Sequence, residues 1–122
     1  MKVIGIRYCG ISEHAEAIAK FLGAGLGLPE KDLGMGSDGF SGAVFPAGES
    51  WIEFWPVGPE MPASTMLQIV VDDADAWAER ARAGGLKPNG PVDAHGERIY
   101  SLVAPGGLHL TFQSALSRGE SS

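Results

Sequence analysis

Residues 104–113 read Ala-Pro-Gly-Gly-Leu-His-Leu-Thr-Phe-Gln, and residues 46–55 read Pro-Ala-Gly-Glu-Ser-Trp-Ile-Glu-Phe-Trp. Laid over each other, both are a glycine-bearing turn followed by a strand. Ile52 and Phe54 fall on Leu110 and Phe112. Trp51, Glu53 and Trp55 fall on His109, Thr111 and Gln113. Successive side chains of a strand point to opposite faces, so each copy has an apolar face and a face of other character. A chain that repeats such a unit is read as two copies of one supersecondary module.

Working outward, each copy is preceded by a helical pattern with the same spacing. Ala15, Ile18, Ala19 and Leu22 form one apolar stripe, and Ala74, Trp77, Ala78 and Ala81 form the other. Each helix follows an apolar strand, over 2–9 in the first half and 66–71 in the second. Ser12 is the expected cap of the first helix, with Glu13 and Glu16 in its first turn, where the dipole favours anions. Asp72 or Asp73 caps the second, and Gly84-Gly85 stop it. Residues 23–42 are rich in glycine and read mostly as loop. Strands are expected at 41–45, 51–57 and 97–103, with a short strand or extended turn at 86–91. The proline-punctuated stretch 56–62 is the best linker. The modules are thus residues 1–58 and 62–114 of one structural domain, followed by a flexible tail at 115–122.

The chain has 122 residues, of which 44% are hydrophobic and 20% charged, the balance of an ordinary globular protein. Fifteen acids against nine Lys/Arg leave a net charge of −6. That balance argues against nucleic acid as a partner, because phosphate binding needs clustered cations, and against an anionic membrane surface. A single cysteine excludes an internal disulfide. No apolar run resembles a signal peptide or approaches the ~20 residues of a membrane span. The expected location is the cytoplasm.

The motifs resemble the vicinal oxygen chelate superfamily, the glyoxalase/bleomycin-resistance/dioxygenase group. The second half carries most of the likeness: Val70-Val-Asp-Asp-Ala-Asp-Ala-Trp, Gly84-Gly-Leu, Gly96-Glu-Arg, and Ala104-Pro-Gly-Gly-Leu-His-Leu-Thr-Phe. Ala104 and Gly106 stand where that family's turn usually has Asp. In the first half Leu26-Gly-Leu is the best mark. The resemblance implies an α+β fold of two βαβββ modules whose mixed sheet curls around a cleft, and a homodimer. One such scaffold hosts many chemistries.

Members that catalyse reactions hold a divalent cation on the concave face, with donors from the first and last strands of each module. Carried over column by column, those positions offer little. The first strand presents Val3, Gly5, Arg7 and Cys9. The end strand of the first module gives Glu53, the second module offers Gln68, and the last strand has Thr111. A catalytic cation wants about three protein donors with open positions, so no metal or other cofactor is expected. An off-column metal site using His109 and Gln113 with Glu53 is the alternative. The expected ligand-binding residues are Arg7, Trp51, Glu53, Trp55, Gln68, His109, Thr111 and Gln113. Two indoles beside a carboxylate suit a small planar organic ligand, including a positively charged one. The leading expectation is therefore a metal-free binding protein of the bleomycin-resistance type. The alternative is an enzyme of the same superfamily: a metal-dependent lyase, isomerase or dioxygenase, or a metal-free isomerase or cyclase with His109 or Glu53 as base. Glu53 paired with Arg7 and Cys9 as an inert buried thiol are the plainer readings of those residues.

Overall fold

The computed structural model describes residues 1–32 and 39–116. Residues 33–38 of the glycine-rich stretch and residues 117–122 of the expected tail lie outside the described residues. In chain order the elements are β1 (Val3–Ile11), α1 (Ala15–Lys20), a π-helical turn (Phe21–Gly25), β2 (Ala43–Ala47), β3 (Ser50–Trp55), β4 (Ser64–Val71), α2 (Ala74–Ala83), β5 (Asn89–Ala94), β6 (Glu97–Ala104), a 3-10 turn (Pro105–Gly107) and β7 (Leu108–Ala115). The fold is α+β with a mixed sheet of seven strands.

The chain divides into two compact units, Met1–Ile6 with Leu67–Ser122, and Arg7–Met66. The dividing points fall inside β1 and inside β4. The first residues of the chain join the later half for a visible reason. Asp72 N–H donates to the Lys2 carbonyl (3.1 Å), Lys2 N–H donates to Asp72 Oδ1 (3.0 Å), and the terminal ammonium lies 3.9 Å from Asp72 Oδ2.

In the unit Arg7–Met66 the strand order is β2-β3-β1, with β2 antiparallel and β1 parallel to β3. Its core is Ala15 and Ala19 of α1 against Ala43, Phe45 and Phe54, with Ile18, Leu22, Phe40 and Ile52 packed around them. The predicted stripe is therefore the buried face, and the alanines let the helix lie close on the aromatic rings. Helix α1 starts later than its Ser12 cap predicts. Strand β1 runs on to Ile11, and Ser12 N–H extends the ladder by donating to the Trp55 carbonyl (3.0 Å). Ser12 Oγ accepts from His14 N–H (3.0 Å), so Glu13 precedes the helix and only Glu16 sits in its first turn.

In the other unit the order is β1-β4-β7-β6-β5, with β5, β6 and β7 antiparallel. Ala74 and Ala78 of α2 pack on Val71, Tyr100 and Phe112, whose rings stack at 5.3 Å for the Tyr100–Phe112 pair. Trp77 joins this cluster, as its place on the stripe predicts. Asp73 is the helix cap: its Oδ1 accepts from Ala76 N–H (3.2 Å), while Asp72 serves the chain terminus. The 3-10 turn brings Gly106 and Gly107 to φ of 82° and 83°, where a side chain is strained. Strand β5 begins at Asn89, later than the predicted 86–91 segment, after the stop at Gly84-Gly85. Strand β7 extends past Ser114, and Leu116 N–H donates to the Gly96 carbonyl (2.9 Å), so the first two residues of the predicted tail are anchored. Arg98 clamps this unit's surface. It donates to both oxygens of Asp93 (3.0 and 3.2 Å) and to Asp75 Oδ2 (3.0 Å), while Tyr100 O–H donates to Asp75 Oδ1 (2.6 Å).

Strands β2 and β5 are the edges of the sheet, and each contains a proline, Pro46 and Pro91. Proline has no N–H to offer to a further strand.

Candidate functional site

Strand β3 sends Ile52 and Phe54 to the core and leaves Trp51, Glu53 and Trp55 on its other face. All three are half-buried. Both indoles turn their N–H edges toward the carboxylate between them. Trp51 Nε1 donates to Glu53 Oε2 at 2.6 Å, and Trp55 Nε1 donates to Glu53 Oε1 at 3.2 Å. Strand β1 lies beside β3 in parallel register, which sets Cys9 opposite Glu53 and Arg7 opposite Trp51. The Cys9 thiol hydrogen-bonds Glu53, and burial together with that carboxylate pushes its pKa up to about 12. It is a buried thiol held protonated at neutral pH, the plainer of the expected readings. The Arg7 guanidinium lies over the Trp51 ring, 3.9 Å from its centroid, a cation–π contact. Arg7 thus meets the cluster through the face of Trp51.

Gly42, just ahead of β2, completes the arrangement. A Cβ there would collide with Cε3 and Cζ3 of Trp55, and the residue's φ is 142°. The bare backbone lets the Trp55 ring lie down where its N–H reaches Glu53.

The corresponding face of β7 carries His109, Thr111 and Gln113. Thr111 O–H donates to Gln113 Oε1 at 2.5 Å, which turns the amide nitrogen toward Glu97 Oε1 (3.3 Å) and Gln68 Oε1 (3.5 Å). Gln113 is only 4% exposed, so these partners matter: a buried polar group without them costs free energy. His109 is exposed near the start of β7 and pairs with Val103 across the strands. The structure therefore groups Gln68, Thr111 and Gln113 in one unit, and Arg7, Trp51, Glu53 and Trp55 in the other. His109 is not among the side-chain partners of Thr111 and Gln113 described above.

Three residues of these clusters escaped sequence reasoning: Glu97, the bonding role of Cys9, and Gly42. Cys9 shares its strand face with Arg7, which was a signal. Glu97 and Gly42 depend on pairing partners distant in the chain, which one sequence does not reveal.

Among the described residues, the donor set does not fit a catalytic divalent cation in either unit. Glu53 already accepts from two indoles and a thiol, beside a guanidinium. Thr111 and Gln113 spend their groups on each other and on Gln68 and Glu97. Among the described residues no three His, Cys, Asp or Glu side chains gather into a metal-holding group. A recess of 510 Å³ lies elsewhere, beside α1, lined among others by Glu16, Lys20, Leu28, Glu30 and Phe40. None of the sequence-predicted site residues lines it. No helix among the described residues is long and apolar enough to cross a membrane.

No family model matches the chain, and no curated protein matches it. Solved structures do. Methylmalonyl-CoA epimerase from Mycobacterium tuberculosis superposes with a TM-score of 0.64 at 17% identity, over 94% of this chain and 90% of that one. A glyoxalase/bleomycin resistance protein/dioxygenase superfamily member from Vibrio splendidus 12B01 gives 0.61 at 10% identity, over 89% and 97%. A catechol 2,3-dioxygenase gives 0.64 at 14% identity, over all of this chain (100%) and 45% of that one. At these identities the likeness speaks for architecture: the chain has the vicinal oxygen chelate type of fold, the one shared by glyoxalase, bleomycin-resistance and dioxygenase proteins.

Proposed function

We propose that this protein binds a small planar organic molecule on the Trp51–Glu53–Trp55 face, without a metal ion. The observation that carries the reading is the fixed pair of indoles on β3, their N–H edges pinned by one carboxylate. Aromatic rings held in place lose little freedom when a flat ligand stacks on them, which favours binding. Arg7 stiffens Trp51 further. Gln68, Thr111, Gln113 and His109 are proposed as polar ligand contacts on the second module's own face. The free, buried Cys9 supports a reducing compartment such as the cytoplasm, and the fold supports a homodimer.

Tryptophan fluorescence titrated with a panel of planar aromatic compounds tests the proposal. Saturable quenching is expected, surviving Trp77→Phe and weakened by about 0.5–1.5 kcal/mol in Trp51→Leu or Trp55→Leu. A panel with no saturable response removes the binding reading. The second reading is an enzyme of the same superfamily, which the presence of an epimerase and a dioxygenase among the fold neighbours supports. In that reading Glu53 or His109 is the base. Metal analysis of untagged protein decides between its forms: one divalent ion per two chains or more would replace the metal-free proposal.

A further inference from the structure

The charge of the ligand is a separate question, and the cluster itself bears on it. A carboxylate offers about four lone-pair directions. Three of Glu53's are taken, by Trp51 Nε1, Trp55 Nε1 and the Cys9 thiol. The Trp51 face already holds a cation of the chain's own, the Arg7 guanidinium at 3.9 Å. These donors are neutral and leave the carboxylate its charge, but they fill the directions from which a ligand N–H could bond it, and the Arg7 cation on Trp51 opposes a second cation there. What it does is set two rings. Each indole has one N–H, and both point at the same side chain from positions two residues to either side of it on one strand face.

We infer that Glu53 is a positioning residue and not the ligand's charge partner, so that the site selects flat rings and is indifferent to their charge. This rests on the binding reading above and specifies its ligand class as uncharged and charged planar heteroaromatics alike. Gln in place of Glu separates the two roles. Its amide oxygen can accept one indole N–H, but its NH₂ meets the other donor to donor. The platform then breaks even for a neutral ligand.

The test pairs two probes with one ring system, quinoline and N-methylquinolinium, against wild type and Glu53→Gln. Both affinities should fall by about tenfold, the loss expected for a hydrogen bond to a charged group. The quinolinium falling alone would return Glu53 to the role of counter-ion and overturn the inference. A second readout needs no ligand. In ¹H–¹⁵N spectra the indole resonances of Trp51 and Trp55 should shift in Glu53→Gln, while that of Trp77, bonded to Asp72 Oδ1 at 3.3 Å, stays put. Unmoved Trp51 and Trp55 resonances overturn the positioning role. Should neither probe bind wild type, the function proposed above fails, and the spectra still decide what Glu53 does.

Discussion

Taken each by itself, the two halves of the chain match on the strand face that packs against a helix and part company on the opposite face. On the helix side Ala15, Ala19, Phe45 and Phe54 answer Ala74, Ala78, Tyr100 and Phe112 almost one for one. On the opposite side Trp51, Glu53 and Trp55 stand where His109, Thr111 and Gln113 stand in the second half. One face makes an aromatic platform around a carboxylate, and the other a buried amide network. The period of two in a strand is what permits this. It allows one face to be held to a packing requirement while the other changes chemistry. The face packed on the helix therefore carries the shared module, and the other face carries the chemistry in which the two halves differ.

That division can be broken experimentally. The largest effect should come from Phe54→Ala and Phe112→Ala, each costing about 3–5 kcal/mol as a buried ring is lost. Urea unfolding should show similar losses for the two. A large loss for one and almost none for the other would end the equivalence of the helix-side faces. Next is Gly42→Ala, which drives a methyl into Trp55 and forces a strained φ. About 1–3 kcal/mol of destabilisation is expected, with a shift of Trp emission, and the second module's Trp77 resonance unchanged. Unchanged stability and emission would show that the platform does not depend on the close approach of Gly42 to Trp55.

The smallest effect is electrostatic and belongs to the second half. Asp75 is held below the ordinary carboxylate range, first by the Tyr100 hydroxyl and then by Arg98, and Asp93 is lowered by its bonds to Arg98. A carboxyl depressed in the folded state contributes stability above its unfolded pKa of about 3.9, and the contribution is lost as pH falls through the folded value. Asp75→Asn should therefore flatten the acid side of the stability curve below about pH 4, by a modest amount because the clamp is on the surface. Urea midpoints measured from pH 6 down to pH 3 check this. Parallel curves for variant and wild type would leave the clamp without energetic weight.

The sequence was legible where the information is local. Stripe spacing, the Asp73 cap region, the glycine turn before β7 and the face assignments of β3 and β7 all follow from neighbours within a few residues. The strand-helix-strand repeat was enough for the α+β architecture. What could not be read is pairing. The parallel register that seats Cys9 against Glu53 joins residues 44 positions apart by number, and nothing local encodes it. The same holds for Glu97 beside Gln113, and for Gly42 under Trp55. The late start of α1 is of this kind too, because the Trp55 carbonyl draws Ser12 into the ladder. For the candidate site the residue types were legible, but the use to which the indole N–H groups are put was not.

Pro46 and Pro91 have a consequence for life at high concentration. A bare sheet margin is a template on which another extended chain can crystallise, and ribbons grow from such templates. Here both margins carry a residue that interrupts the template. Growth of the sheet by a further chain is thereby disfavoured at each margin, at the position where the proline offers no N–H.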